Sequence, residues 1–235
     1  MKKTKEIETT PKFSCEFCNR EFVRERTLLS HICEYKSRWL SKDQPGNRFA
    51  FKFWLQFYAK HSMSKTKNKT YQEFIKNPYY IPFVKFGNYC VEVNVLNPAR
   101  YVDWLLKDNI KIDNWINDSN YTKYLIEYLR DEDPFDAIHR SVSYCIELSE
   151  ADHIQPNDVL RYGNPNKICY AITVGKISPW MLYCSDSGIR FLETLNQDHA
   201  KIVIDYINPD QWALKFHREP ELKKRISDTL KEAGY

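Results

Sequence analysis

FSCEFCNREFVRERTLLSHIC, running from Phe13 to Cys33, governs the reading of the N-terminal region. Cys15 and Cys18 are two intervening residues apart, a gap that lets both thiolates of one tight turn reach a single ion. Twelve residues separate Cys18 from His31, and Cys33 follows two positions later. Apolar residues punctuate the same stretch: Phe13 two before Cys15, Phe22 four after Cys18 and Leu28 three before His31. A unit of about twenty residues cannot bury enough surface to fold alone, so a metal here has a structural task. Four protein ligands leave no position for a water, which argues against catalysis by the metal.

This pattern resembles the classical two-Cys, two-His zinc finger over 21 of 235 residues. The resemblance implies a ββα unit with a mini-core of Phe, Leu and the ligand His, and one structural Zn2+. The family places its second His after three to five intervening residues, where this chain has Tyr35, Lys36 and Ser37. Cys33 is therefore the expected fourth ligand, giving Cys15, Cys18, His31 and Cys33. On a continuous α-helix a two-residue step turns through about 200°, so the helix must end or tighten just after His31. His61 and a distant thiol such as Cys90 are the alternatives. In the resembled family, base-contacting side chains lie seven, four and one residues before the ligand His. Here they are Arg24, Thr27 and Ser30, with Arg26 nearby and Arg20 in the turn. Leu29 and Phe17 are apolar at positions that ask for cover, which points instead to docking on the protein's own body or on a partner.

Outward from this stretch, composition sets the class. The chain carries 35 Lys+Arg against 31 Asp+Glu, 43% hydrophobic residues and only 6 Gly. These values exclude wholesale disorder, and so few glycines disfavour Gly-rich phosphate loops. No apolar run is long enough to span a bilayer, and residues 1–12 lack a secretory signal pattern, so an intracellular protein is expected. Seven cysteines is an odd number without a secretory context, which disfavours a disulfide framework. Cys145, Cys169 and Cys184 read as buried small hydrophobes. Charge is uneven: Met1 to Tyr89 holds 18 Lys+Arg and 8 Asp+Glu, whereas Cys90 to Tyr235 holds 17 and 23. A basic N-terminal third suggests a polyanion partner, DNA or RNA backbone, and the acidic remainder a protein partner.

The rest of the chain reads as mainly α with minor β. Asn97-Pro98, Asp133-Pro134, Asn208-Pro209 and Glu219-Pro220 each put a polar residue before a Pro at the first helical position. They predict helices over Pro98–Lys107, Pro134–Leu148, Pro209–Phe216 and Pro220–Ala233. Tyr121 to Leu129 and Arg48 to His61 carry helical stripes, and Gly188 to Ile207 predicts two helices broken near Asn196–Asp198. Lys167 to Val174 and Tyr89 to Val95 predict strands. The expected organisation is a basic arm (1–12), a finger (13–36) and a helical domain (37–235) with a possible division near 90–97.

Basic residues interleave with rings between Trp39 and Tyr89, the combination by which single strands are held through stacking and backbone charge. Tyr79, Tyr80 and Lys85 are candidates for such a surface, as are Lys65, Lys67 and Lys69 of the polar stretch Ser62–Thr70. Most of the rings are expected in the core. No nucleotide-loop, hydrolase-elbow or H-E-x-x-H motif occurs, and no enzyme activity is expected. The acidic groups Glu150, Asp152, His153 and Asp158, and Glu221 with Lys223, read as solvated loop and helix faces. In its Asn, Lys, Tyr and Ile richness and single degenerate finger the chain also resembles accessory proteins of tailed phages, replication and virion-assembly factors among them. That resemblance implies the host cytoplasm or the virion as its location, no membrane contact and no small-molecule substrate.

Overall fold

The computed structural model describes residues 13–61 and 69–235. Lys65, Lys67 and the arm over residues 1–12 lie outside the described residues. The protein is mainly α: fifteen α-helices and one two-stranded sheet occur among the described residues. They fall into two compact units divided between Asn117 and Asp118. None of the described helices is long and apolar enough to cross a membrane.

The first unit begins with β1 (Phe13–Ser14) and β2 (Glu21–Phe22), antiparallel with Phe13 opposite Phe22, followed by α1 (Glu25–Ser30) and α2 (Glu34–Leu40). α3 (Pro45–His61) then packs along α5 (Tyr80–Glu92), with α4 (Tyr71–Ile75) between them in the chain. Small residues set that approach: a Cβ on Gly87 would lie 2.0 Å from the Gly46 carbonyl oxygen. Aromatic rings fill the space this leaves. Trp54, Phe74, Phe83 and Phe86 are fully buried, and Trp115 stacks edge-on to Phe86 at 5.0 Å. The Trp115 indole N–H donates to the Ile110 carbonyl at 2.9 Å, so this large ring is buried without an orphaned donor. α6 (Pro98–Lys107) adds Tyr101 and Leu105 to the same core.

The second unit holds α7 (Asp118–Asp131), α8 (Pro134–Asp152), α9 (Val159–Tyr162), α10 (Pro165–Thr173), α11 (Pro179–Cys184), α12 (Asp186–Thr194), α13 (Gln197–Ile207), α14 (Pro209–Arg218) and α15 (Pro220–Glu232). Its core is largely aliphatic, with the rings of Phe191 and Tyr235 among it and a knot in which Trp180 meets Trp212 at 5.4 Å and Phe216 at 5.5 Å. One buried ionic cluster crosses it. Arg140 donates twice to the Glu132 carboxylate, at 2.6 and 2.8 Å, and its Nε donates to the Gly175 carbonyl. The Ser178 hydroxyl donates to Glu132 at 2.9 Å, so every strong group in the cluster has a partner.

The Pro-initiated helices begin where the caps place them: α6 coincides with its predicted span, and α14 and α15 keep their predicted starts. α8 runs four residues beyond Leu148 before His153 turns left-handed at φ 56°. Gly188–Ile207 resolves into α12 and α13, with Asn196 capping the second through a bond from the His199 N–H. Both predicted strands are helical. Lys167–Val174 lies in α10, where Ile168, Cys169, Ala171 and Ile172 bury one helical stripe. Asn164 and Pro165 start it by the same cap-plus-Pro signature as the others. Tyr89–Val95 is the end of α5 and the turn after it, where Asn94 takes φ 54°. Its Cys90 continues the stripe of Phe83, Phe86 and Gly87, a 3.6-residue period that a seven-residue window reads as alternation.

Candidate metal centre

The turn after β1 brings the first two sulfurs together. The Cys15 N–H donates to the Arg20 carbonyl at 2.9 Å, and the Asn19 N–H donates back to the Cys15 carbonyl at 2.8 Å. Asn19 closes the turn at φ 57°, a left-handed conformation that Asn tolerates because its short side chain bonds locally. α1 then carries the chain back and stops early. His31 is already extended (φ −74°, ψ 122°), and Cys33, also extended, is the N-cap of α2. The 200° obstacle therefore does not arise: the two ligands sit on an extended connector between helices, as Cys33 ligation requires.

Cys15, Cys18, His31 and Cys33 bring one potential ligand atom each to within 4.8 Å of all the others. Cys15 Sγ lies 4.0 Å from Cys33 Sγ, and Cys18 Sγ lies 3.3 Å from His31 Nε2. Around a tetrahedral ion with S at ~2.3 Å and N at ~2.05 Å, such pairs sit about 3.8 and 3.6 Å apart. The spacing fits a Cys3His site compatible with a metal ion such as zinc, and all seven cysteines are free of disulfides. It is the one such cluster among the described residues. Glu150, Asp152, His153 and Asp158 do not converge; Lys167 pairs instead with Asp152, and Arg161 with Asp158. Cys90 is buried elsewhere in the unit, and the His61 side chain lies outside what is described.

The thiols of the cluster differ from the rest in their titration. Burial tends to raise Cys15, but the backbone N–H groups of Cys18 and Phe17 outweigh it and hold the thiol below its ordinary value. The Arg20 N–H favours the thiolate of Cys18, yet burial and the neighbouring Cys15 and Cys33 sulfurs push that thiol up. Three sulfurs so close cannot all ionise without a cation among them. Burial pushes Cys145 up to about 12 and, against the opposing pull of Ser227 and Lys223, Cys184 up to about 11, with Cys90 and Cys169 also raised, the behaviour of inert core thiols.

Around the cluster, Phe22 is buried against the His31 ring at 4.8 Å, with Leu28 of α1 half-buried, the residues of the expected mini-core. Phe17 finds its cover within the chain: its ring meets Trp39 of α2 at 5.9 Å, and Trp39 meets Tyr71 at 5.8 Å. Tyr71 in turn meets Phe74 of the core at 5.5 Å, so a continuous run of rings leads from the Cys turn into the helical body. Leu29 is different. It is 72% exposed, and Ile32 beside it is 68% exposed.

The remaining candidates scatter. Arg20, Arg24, Arg26, Thr27 and Ser30 are exposed, and Arg24, Thr27 and Ser30 recur every three residues along α1. Residues 13–36 are electrically balanced, however, since Glu16, Glu21, Glu25 and Glu34 offset Arg20, Arg24, Arg26 and Lys36. Tyr79 and Lys85 are exposed, but Tyr80, expected beside them, is only 6% exposed. It lies in the core beneath the Arg38 guanidinium, 4.4 Å from its ring. Lys69 is half-buried and rests over the rings of Tyr58 and Trp54, at 4.6 and 5.2 Å, rather than facing outward alone. Sequence spacing did not single out Lys36 or Trp39, whose roles depend on where α2 lies. No family model matches the sequence, and no curated protein and no solved structure matches the chain.

Proposed function

We propose that this protein is a non-enzymatic, zinc-stabilised accessory factor that associates with nucleic acid through its first unit and with a protein partner through its second. The observation that carries the reading is that charge divides as the structure divides. Residues 1–117 hold 21 Lys+Arg and 12 Asp+Glu, and residues 118–235 hold 14 and 19. A basic unit is attracted to a phosphate backbone irrespective of sequence, and an acidic one is repelled by it. Three thiolates and an imidazole suit zinc rather than a hard cation, and with all four positions filled the ion serves structure. The exposed Arg24, at the N-cap position of α1, and Arg26 within it are the phosphate contacts this reading assigns first.

The test is binding of random-sequence DNA and RNA across a salt series. Affinity falls steeply with salt if the reading is right, and Arg24→Ala with Arg26→Ala makes the log–log slope shallower by roughly 2, at about 0.9 per phosphate contact on duplex DNA. Negligible affinity at roughly 50 mM salt, or none of that dependence, sinks it. A second reading is favoured by the exposed Leu29 and Ile32: a structural or assembly protein, for example a phage virion component, whose finger docks on another protein. Leu29→Lys abolishes assembly on that reading and leaves nucleic-acid affinity intact.

A further inference from the structure

We propose that Lys36 is a positioning residue for the metal centre, holding both C-terminal ligands from outside the ligand set. The assignment rests on the zinc reading above and extends it to a residue that touches no metal. Lys36 is the third residue of α2, and it makes two contacts that converge on the same connector. Its backbone N–H donates to Cys33 Sγ at 3.4 Å, and its ammonium donates to the His31 carbonyl at 3.0 Å.

Each contact has a distinct effect. The N–H···S bond orients the Cys33 sulfur and draws off part of the charge of a thiolate, as outer partners of ligands generally do. α1 holds His31 only through its N–H, which donates to the Leu28 carbonyl at 3.1 Å. The ammonium bond fixes the carbonyl on the other side of this extended residue, and so sets the direction of the His31 ring relative to Cys33. The charge matters too. Three thiolates and Zn2+ leave the site with a net of −1, and Lys36 is a cation bonded directly to one of the four residues. Cys33 is also the N-cap of α2, so the ligand, the cap and the clamp belong to one element of the helical body. The metal thus joins the finger to α2, on which Trp39 receives Phe17.

The experiment uses the full-length chain. Zinc affinity is measured by competition with a chromophoric chelator, and Co2+ substitution reports the donor set through its absorption spectrum. Lys36→Met keeps the aliphatic stem and helix preference but removes the ammonium. It should weaken zinc binding by about 10- to 100-fold, the range seen for outer-shell partners, with an unchanged Co2+ spectrum at saturation. Lys36→Arg, which keeps a charged donor, should restore most of the affinity. Lys42→Met is the control, since Lys42 rests over Trp39 at 4.7 Å and makes no contact with a ligand; it should bind zinc as the wild type does. Thermal melts of the metal-free forms should leave Lys36→Met level with the wild type, which a purely structural role would not. Wild-type affinity in Lys36→Met, equal weakening in Lys42→Met, or a lower metal-free melt in Lys36→Met overturns the assignment. A wild-type chain that takes up neither ion overturns the zinc reading itself.

Discussion

Adding one methyl group at Gly87 should destabilise the first unit more than almost any other change of that size. A Cβ built there lies 2.0 Å from the Gly46 carbonyl oxygen, 2.9 Å from the Ala50 nitrogen and 3.0 Å from the Gly46 carbonyl carbon. All three are backbone atoms of α3, which cannot swing aside. Carbon–oxygen contacts settle near ~3.3 Å, so α3 and α5 must part by more than about 1 Å at their closest point. Such a gap forfeits a quarter to a half of each dispersion contact there, and overpacking of this kind costs about 1–3 kcal/mol or more. Alanine returns up to about 1 kcal/mol through its better helix preference. The net expectation for Gly87→Ala is a loss of roughly 2 kcal/mol. Gly46→Ala is the internal comparison: its Cβ would meet the side chain of exposed Asn88, Oδ1 at 1.8 Å and Cγ at 2.7 Å, which can rotate away, and one backbone atom, the Asn88 nitrogen, only at 3.0 Å. It should cost under about 1 kcal/mol. Urea unfolding followed by circular dichroism and tryptophan fluorescence measures both. A Gly87→Ala protein as stable as wild type, or Gly46→Ala costing more than Gly87→Ala, would refute the close-packing account.

Maleimide labelling at pH 7.5 should spare all seven thiols of the metal-loaded protein and, after chelation, modify Cys15, Cys18 and Cys33 well before Cys90, Cys145, Cys169 and Cys184, as read by peptide mass spectrometry. Glu132→Ala should cost about 3–5 kcal/mol in chemical unfolding because it strands the Arg140 guanidinium, while Glu132→Gln, which keeps an acceptor for the Ser178 hydroxyl, should cost distinctly less. Phe17→Ala should lower the stability of the first unit by about 1–2 kcal/mol through loss of the Trp39 contact, and Leu29→Ala, at an exposed site, should change it by less than about 0.5 kcal/mol.

Local chemistry was readable and long-range geometry was not. A cap followed by Pro specifies a helix start within two residues, so α6, α8, α14 and α15 could be placed from Asn97, Asp133, Asn208 and Glu219. The same code at Asn164-Pro165 starts α10, although the β-branched Ile168, Ile172 and Val174 read as a strand, a preference they express only where a pleated partner exists to pack them. The boundary at Asn117–Asp118 has no Pro- or Gly-rich linker to announce it. The convergence of Cys15, Cys18, His31 and Cys33 was legible because they are close along the chain. Cys33 nevertheless depended on α1 ending at Ser30, which spacing could only require, not establish. Tyr80 was misplaced for a related reason: a ring beside basic residues reads alike whether it faces solvent or lies under Arg38.

Metal content of the purified full-length chain bears most directly on the centre at Cys15, Cys18, His31 and Cys33. Elemental analysis should return about one zinc per chain for the wild type and for Cys90→Ser, and less than a tenth of that for Cys33→Ser. A wild-type protein that is folded and free of metal, or a Cys33→Ser protein that keeps its full zinc, would contradict it.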